Sequence, residues 1–320
     1  MPHFTPNKIS AAVLTAALLA FGGAVQAAAP MAKTSAPGYF RMMLGSFEVT
    51  ALSDGTVDLP VDKLLAQAPE KTQQTLAAAH LAVPLETSVN TYLINTGSKL
   101  VMIDTGAAGL FGPTLGKLLA NLKAAGYDAS QIDEIYITHL HPDHVGGLLA
   151  DGKAAFPNAI VRADKRDSDF WLSEVNKGKA PDANKGFFDG AMNATAPYVA
   201  AKKFVPFSGD TQLIPGVRAT SSYGHTPGHT TYEVESGGKK LVLIGDLIHV
   251  AAVQLPKPGL TIAFDSDAKA AAQARMTTFA QAAKNGTIVG ASHIQFPGLG
   301  YLRADGKQYQ WMPVNYTQMR

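Results

Sequence analysis

The stretch Thr138-His-Leu-His-Pro-Asp-His-Val-Gly-Gly147 places three histidines and one aspartate within six residues. It directly continues the segment Glu134–Thr138, which has the pattern of a short β-strand. Neutral imidazole and carboxylate groups are the ligands that a borderline cation such as Zn²⁺ selects. A strand end holds such ligands firmly, and Gly146 and Gly147 allow the next helix to approach them closely. The stretch therefore predicts a metal site at the end of a strand.

Most of the other histidines follow the same rule. Seven of the nine lie in segments at the ends of predicted strands, whereas His3 and His80 do not. The further candidate ligands are His225, Asp246 and His293, with His229 and His249 close to them in sequence. A rigid sheet builds a pre-organised site by collecting distant residues at neighbouring strand ends. We therefore expect these residues to join the first stretch in one site.

The order His139-x-His141-x-Asp143-His144, then His225, Asp246 and His293, resembles the signature of the metallo-β-lactamase superfamily. The resemblance implies an α/β fold, an αββα sandwich, with a site for two divalent metal ions, zinc first among them. One ion would be bound by His139, His141 and His225. The other would be bound by Asp143, His144 and His293. Asp246 would bridge both, and His229 would stand behind the ligands.

The implied metal pair predicts hydrolytic chemistry. Two adjacent cations lower the pKa of a shared water, and the resulting bridging hydroxide attacks a carbonyl or phosphoryl centre. Asp143 is the expected proton acceptor or shuttle. A carboxylate at Asp246, in a chain without cysteine, separates the protein from the thiol-containing β-lactamases and argues against antibiotic hydrolysis.

The mature chain as a whole resembles the methyl parathion hydrolase branch of this superfamily and its relatives that act on dihydrocoumarin-like lactones. Three segments support this: Leu52-Ser-Asp-Gly-Thr56, Asp104-Thr-Gly-Ala-Ala-Gly-Leu-Phe-Gly-Pro-Thr114 and Ala251-Ala-Val-Gln254. The resemblance implies a homodimer and an aromatic pocket gate at Phe111, Trp171 and Phe187. Stacked aromatic side chains suit a flat aryl substrate, with plain core packing as the alternative.

Four pocket positions depart from the organophosphate-hydrolysing enzymes. Leu64 stands where they have arginine, His249 where they have leucine, and Ile262 and Phe264 where they have threonine and leucine. Together these changes should crowd the pocket and favour a planar ester over a tetrahedral phosphotriester. Related acyl-homoserine lactonases have a carbonyl-polarising tyrosine three residues after the bridging aspartate. We expect His249 to take that role, with a histidine behind the metal ligands or a pocket wall as the alternative.

The predicted function is hydrolysis of aryl lactones or esters, dihydrocoumarin-like lactones above all, with promiscuous organophosphate hydrolysis. The alternative is an organophosphotriesterase, that is, a methyl parathion hydrolase. A metal-binding module without activity should have lost a ligand, and none is missing. A nuclease would need a basic groove, which a net charge of +2 does not favour, so we expect no nucleic-acid partner.

The N-terminal residues predict export. Lys8 and the apolar stretch Ile9–Ala20 indicate a signal peptide over residues 1–28, cleaved near Ala27 or Ala28. A transmembrane anchor is disfavoured because the apolar run is shorter than the ~20 residues of a membrane span. We expect a periplasmic or secreted protein whose mature form has no membrane span.

The rest of the chain predicts a flexible terminus over residues 29–38 and one hydrolase domain over residues 39–320. Without disulfides, that domain must be held together by its core and its metals. The periodicity predicts strands at Phe47–Leu52, Val89–Ile94 and Leu100–Ile103, helices at Pro113–Ala125, within Asp164–Ala200 and at Asp267–Lys284, and later strands at Val217–Ser222, Thr230–Glu235, Lys240–Ile244 and Thr287–Gly290.

Overall fold

The computed structural model describes residues 1–3 and 29–319. The signal peptide predicted over residues 1–28 therefore lies almost wholly outside the described residues. Residues 29–37 contain no helix or strand and are exposed, and the chain from Pro37 onward forms a compact unit. Within the described part of the chain, no helix is long and apolar enough to cross a lipid bilayer.

Two large β-sheets form the centre of this unit. The first has six strands in the spatial order β1 (Tyr39–Leu44), β2 (Phe47–Leu59), β3 (Leu85–Asn95), β4 (Leu100–Ile103), β5 (Glu134–Tyr136) and β8 (Ile160–Arg162). The small hairpin β6 (Leu149–Ala150) and β7 (Lys153–Ala154) stands apart from it. The second sheet has seven strands in the order β15 (Gln308–Pro313), β14 (Leu299–Asp305), β13 (Ile288–Gly290), β12 (Lys239–Leu243), β11 (Thr230–Ser236), β10 (Val217–Ser221) and β9 (Thr211–Ile214).

Nine α-helices accompany the sheets in the described residues. They are α1 (Val61–Leu64), α2 (Pro69–Ala78), α3 (Leu118–Ala124), α4 (Pro142–Val145), α5 (Lys165–Trp171), α6 (Glu174–Lys179), α7 (Asp182–Ala200), α8 (Ala251–Gln254) and α9 (Ala268–Asn285). Short 3-10 turns occur at Ala129–Gln131, Gly146–Leu148 and Gly245–Leu247.

Alternating side chains divide the interior into layers. In β3, Leu93 packs towards α3 and α7, whereas Ile94 packs between the two sheets. In β12, Leu241 points between the sheets, and Val242 packs against Phe279 of α9. Because successive strand residues face opposite sides, each sheet separates two apolar layers. The result is the predicted αββα sandwich.

The strands and helices on either side of the metal-binding stretch agree with the sequence prediction, but the helix predicted over Pro113–Ala125 is shorter. It begins only at Leu118, because the buried Asp54 accepts hydrogen bonds from the backbone N–H groups of Gly116 and Leu118 and holds the preceding loop. Gly116 has a φ of +80°, a conformation that glycine adopts at little cost. Strand β1, helix α2 and the hairpin β14–β15 were not predicted.

Candidate metal centre and substrate pocket

The candidate metal ligands all follow strands at one edge of the sandwich. His139 and His141 follow β5, and Asp143 and His144 lie in the short helix α4 that begins at Pro142. The other three come from the second sheet, where they follow three different strands: His225 after β10, Asp246 after β12 and His293 after β13. The structure thus brings together all seven residues that the sequence singled out as ligands.

The seven side chains form two groups that share Asp246. Ligand atoms of His139, His141, His225 and Asp246 lie within 4.8 Å of one another, as do those of Asp143, His144, Asp246 and His293. The Oδ2 atom of Asp246 is 3.3 Å from Nε2 of His225, and its Oδ1 atom is 3.1 Å from Nε2 of both His144 and His293. One carboxylate therefore faces both groups, as a bridging ligand must.

Hydrogen bonds on the far side of each ring direct the ligand nitrogens inwards. Nδ1–H of His144 donates to Asp104 at 2.8 Å, Nδ1–H of His225 to Asp265 at 3.0 Å, and Nδ1–H of His293 to the carbonyl of Ser88 at 2.9 Å. Each bond turns Nδ1 outwards and Nε2 towards the centre, where the negative charge of Asp246 favours a proton or a metal ion on that nitrogen. Such outer partners set the tautomer and the orientation of metal-binding histidines.

His229 lies behind the ligands. Its Nδ1 is 2.8 Å from Oγ of Ser222, and its Nε2 accepts the backbone N–H of Asp246 at 3.1 Å. Both ring nitrogens are therefore occupied, so His225 and not His229 faces the centre. Gly245 is required beside it, since its φ is +51° and a Cβ atom there would come within 2.7 Å of His229.

The electrostatics of the cluster favour positive charge at its centre. Although burial opposes protonation, Asp246 and Asp265 raise the pKa of His225 to about 9. Burial also disfavours the ionised form of Asp246, yet the surrounding histidines, His144 foremost, lower the pKa of that carboxyl well below its usual range. Burial lowers the pKa of His139 and His141, which keeps both as neutral imidazoles.

The donor set also fits metal ions chemically. Buried side-chain atoms without a hydrogen-bond partner are rare in proteins and require an explanation. Three such atoms converge here, namely Nε2 of His139, Nε2 of His144 and Oδ1 of Asp246. Imidazole nitrogens and carboxylate oxygens without thiolates suit zinc and similar divalent cations. The residues present therefore fit a pair of divalent ions.

The partners Asp104 and Asp265 were missed in the sequence. Asp104 directly follows the apolar strand β4, so the rule that found Asp246 could have found it. It lies 40 residues from His144, and Asp265 lies 40 residues from His225. No local pattern indicates Asp265, because only the folded chain brings it to the ring.

Replacing Asp265 with asparagine should weaken metal binding about 10- to 100-fold, the usual cost of losing an outer partner. The Asp265 carboxylate accepts from His225 through Oδ1 and from the backbone N–H of Ile262 through Oδ2 at 3.1 Å. An amide offers only one oxygen, so one donor would face an NH₂ group. Competition with a chelating dye measures the affinity. The control is Asp169→Asn, an exposed aspartate paired with Lys165; equal affinities in both variants would contradict the assignment.

A cavity of about 160 Å³ opens directly onto the metal centre. Its floor contains His141, Asp143, Asp246 and His293, and its walls are Val57, Leu59, Phe111, Phe187, His249 and Phe264. We call it the reaction cavity. A second cavity of about 530 Å³ adjoins it and shares His141, Phe187 and Phe264. Phe111 is 39% exposed and its ring centroid is 6.4 Å from that of Phe187, so these two rings stand at the entrance.

Three of the predicted pocket residues lie outside the reaction cavity. Trp171 is only 6% exposed, packs against Phe188 and His141, and lines the second cavity. Ile262 is 3% exposed and belongs to an apolar cluster with Leu65, and Leu64 packs against the same cluster. Leu64 and Ile262 line neither cavity, and direct substrate contact by these two residues stays a prediction. Both residues support the wall of the reaction cavity that ends in Phe264. An isolated β-bridge between Leu65 and Ile262 joins the segment of Leu64 to the segment of Ile262.

His249 borders both the centre and the cavity. It is 3% exposed, and its Nε2 lies 3.1 Å from Oδ2 of Asp246, while its buried Nδ1 has no hydrogen-bond partner. Its ring stacks on that of His293 at 5.0 Å and lies 5.8 Å from that of Phe264. Burial lowers the pKa of His249 to about 4, so the ring is a neutral imidazole with one N–H to donate.

Comparison with known proteins agrees with this geometry. Residues 85–293 match the family model of the metallo-beta-lactamase superfamily, which is more than half of the chain. The chain therefore belongs to the metallo-β-lactamase superfamily. It is a metal-dependent hydrolase of that superfamily with lactonase homologues.

Three similar proteins illustrate the relationship. The hydrolase AbOPH, of the beta lactamase superfamily, is 36% identical, with 89% of this chain and 100% of that one covered and a TM-score of 0.84. AidC, a dizinc quorum-quenching lactonase solved with the product N-hexanoyl-L-homoserine, is 26% identical over 88% and 99% of the two chains, with a TM-score of 0.80. An N-acyl homoserine lactonase of Bacillus thuringiensis is 26% identical over 174 residues, 48% of this chain. That alignment spans only 61% of the lactonase.

Proposed function

We propose that the protein hydrolyses aryl lactones and aryl esters, with dihydrocoumarin-like lactones as the best substrates, and that its two metal ions are zinc. The observation that supports this most is the position of His249. It places a neutral, buried imidazole beside the bridging carboxylate, on the wall of a narrow cavity lined by aromatic rings. Planar aryl groups fit between such rings, whose faces and edges attract one another.

The metals, when bound, supply the polarisation of the scissile group and the acidification of water. The residues of the chain do the rest. Phe111, Phe187 and Phe264 orient the aryl ring and exclude water. Nε2–H of His249, which lies 3.1 Å from Oδ2 of Asp246 in this structure, would turn from that carboxylate to the substrate oxygen on which negative charge develops. Asp143, whose side chain is 19% exposed at the cavity, accepts the proton released by the nucleophile and delivers it to the leaving oxygen.

The test is a comparison of kcat/KM for zinc-loaded protein on four substrates: dihydrocoumarin, an N-acyl homoserine lactone, methyl parathion and a β-lactam. We expect the highest value for dihydrocoumarin, a lower one for methyl parathion and none for the β-lactam. Protein stripped of metal by a chelator is the control and should be inactive on all four. A higher value for methyl parathion or for the homoserine lactone than for dihydrocoumarin contradicts the proposal.

The second candidate function is a true methyl parathion hydrolase. The observation in its favour is the second cavity, which adjoins the reaction cavity behind Phe187 and Phe264 and offers room for a bulkier phosphotriester. Against it stands the small volume at the metals themselves. We therefore propose organophosphate hydrolysis as a side activity.

Replacing Phe187 with alanine should reduce kcat/KM for aryl substrates by the equivalent of about 1–3 kcal/mol, the value of a large apolar contact. Small aliphatic esters should change much less, because they do not reach this ring. Trp171→Ala serves as the contrast: that side chain is buried in the core, so the variant should lose about 3–5 kcal/mol of stability. Equal losses on aryl and aliphatic esters in Phe187→Ala would identify Phe187 as core.

Export to the periplasm or medium and assembly into a homodimer stay predictions. N-terminal sequencing of the protein recovered from the periplasm tests the first, with a new terminus near Ala28 as the expected result. Sedimentation of the mature protein tests the second, and a mass of one chain would contradict it.

A further inference from the structure

Two buried polar side chains lie beneath the turn that bears Asp246 and His249. Gln254 is fully buried, and its Oε1 accepts the backbone N–H groups of His249 at 2.8 Å and Val250 at 3.0 Å. Its Nε2 donates to the carbonyl of Leu260 at 3.1 Å. One amide thus connects the turn to the loop that leads into the pocket wall.

Arg275 of α9 reaches the same place from the other side. Its guanidinium donates to the carbonyls of Leu247, of Pro258 at 2.9 Å and of Leu260 at 2.7 Å. It is fully buried, and none of the ion pairs found in residues 29–319 includes it. Burying a charged group is costly unless its hydrogen bonds are made, and here backbone carbonyls accept from Nε and Nη1, whereas the buried Nη2 has no partner. An apolar side chain could fill this volume, but it could not hold three carbonyls in place.

Both side chains therefore meet at the carbonyl of Leu260. On one side of it lies the turn with Asp246 and His249, and on the other lies the segment that continues through Ile262 to Phe264. Neither Gln254 nor Arg275 lines the reaction cavity. Their contacts fix the two cavity walls relative to each other.

We propose that Gln254 and Arg275 are positioning residues, a brace that holds the His249 turn at a set distance from the Phe264 wall. The proposal rests on the proposed function only for the role of His249 in turnover. Its structural part, the restraint of the turn, is independent of any substrate.

Gln254→Met tests the brace, because methionine matches glutamine in length and tolerates burial but cannot bond to the turn. In the zinc-loaded protein, hydrogen exchange at the amides of His249 and Val250 should become about 10-fold faster, as expected when a buried hydrogen bond is lost. The amide of Ile244, which donates to the carbonyl of Gly290, should not change. Gln273→Met, an exposed glutamine of α9, is the matched control.

Turnover separates positioning from mere structural support. On dihydrocoumarin, Gln254→Met should lower kcat about 10-fold with little change in KM, and His249→Leu/Gln254→Met should be no slower than His249→Leu alone. Arg275→Lys, which keeps the charge but loses the fork of donors, should behave like Gln254→Met. Three results would each overturn the brace. The first is unchanged hydrogen exchange at His249 and Val250 in Gln254→Met, and the second is faster exchange with unchanged kcat. The third is a loss of kcat in the double variant that equals the sum of the two single losses. If His249→Leu by itself leaves turnover unchanged, the proposed role of His249 in the reaction is refuted. The hydrogen-exchange data then still test whether Gln254 and Arg275 restrain the turn.

Discussion

Replacing Asp246 with alanine should remove both metal ions and lower hydrolysis by well over the roughly 100-fold that loss of an outer partner causes. The reason is its position: Oδ2 faces His225, and Oδ1 faces His144 and His293. Without this carboxylate, each of the two ligand groups loses one ligand. The two positively charged metal ions would also lose the anion that lies between them. Metal analysis and kcat/KM on dihydrocoumarin measure the effect.

The same variant should also unfold at a lower temperature. Ions that bind only the folded state stabilise it by about 4 kcal/mol when present at 1,000 times their dissociation constant. The melting temperature of Asp246→Ala in the presence of zinc should therefore fall towards that of chelator-treated wild type. Asp182→Ala is the control, an exposed aspartate paired with Lys185. Two bound ions and normal activity in Asp246→Ala would refute the dinuclear assignment.

The metal centre could be predicted because its pattern is local. Four of the ligands lie within six residues, and the others each follow a strand whose apolar run is visible in the sequence. Gly245 and Asp246 after β12 illustrate this: the glycine permits the turn, and the turn presents the carboxylate. The layered fold was implied by the resemblance to the superfamily, and the strands and helices predicted from the sequence agree with it.

The substrate pocket could be predicted only in part. Similarity to a family indicates which positions lie near a pocket, but not which side chains reach its surface. Phe264 lines the cavity, whereas Ile262, two residues earlier at the start of a turn, packs in an apolar cluster behind it. The supporting residues Asp265, Gln254 and Arg275 were missed because their contacts are made only in the folded chain. From the sequence alone, a buried arginine in an amphipathic helix cannot be distinguished from an arginine on the solvated face of that helix.

The largest effect on specificity is expected from His249→Leu. If its N–H bonds to the oxygen that becomes charged, its loss should cost about 2–4 kcal/mol in lactone turnover, roughly 30- to 900-fold. Methyl parathion turnover should be spared or raised, because leucine removes a polar group from the cavity wall. Steady-state kinetics with both substrates on the same enzyme preparation measure the ratio.

Substitutions at Phe264 and Ile262 should change the preference between lactone and phosphotriester to different extents. Phe264→Leu frees volume beside His249 and should add to the phosphotriester gain, although the two effects need not be additive within one pocket. Ile262→Thr should act mainly through stability, because it buries a hydroxyl in an apolar cluster at a cost of about 1–3 kcal/mol.

A conservative variant separates the hydrogen bond of His249 from its packing. His249→Gln keeps an N–H donor of similar reach, so it should retain more lactone turnover than His249→Leu, while both lose the stacking on His293. If donation is the cause, the glutamine variant should lie between wild type and leucine for dihydrocoumarin but resemble wild type for methyl parathion. If glutamine and leucine lower both activities equally, His249 only supports the centre. In that case the preference for planar lactones must come from the aromatic walls alone.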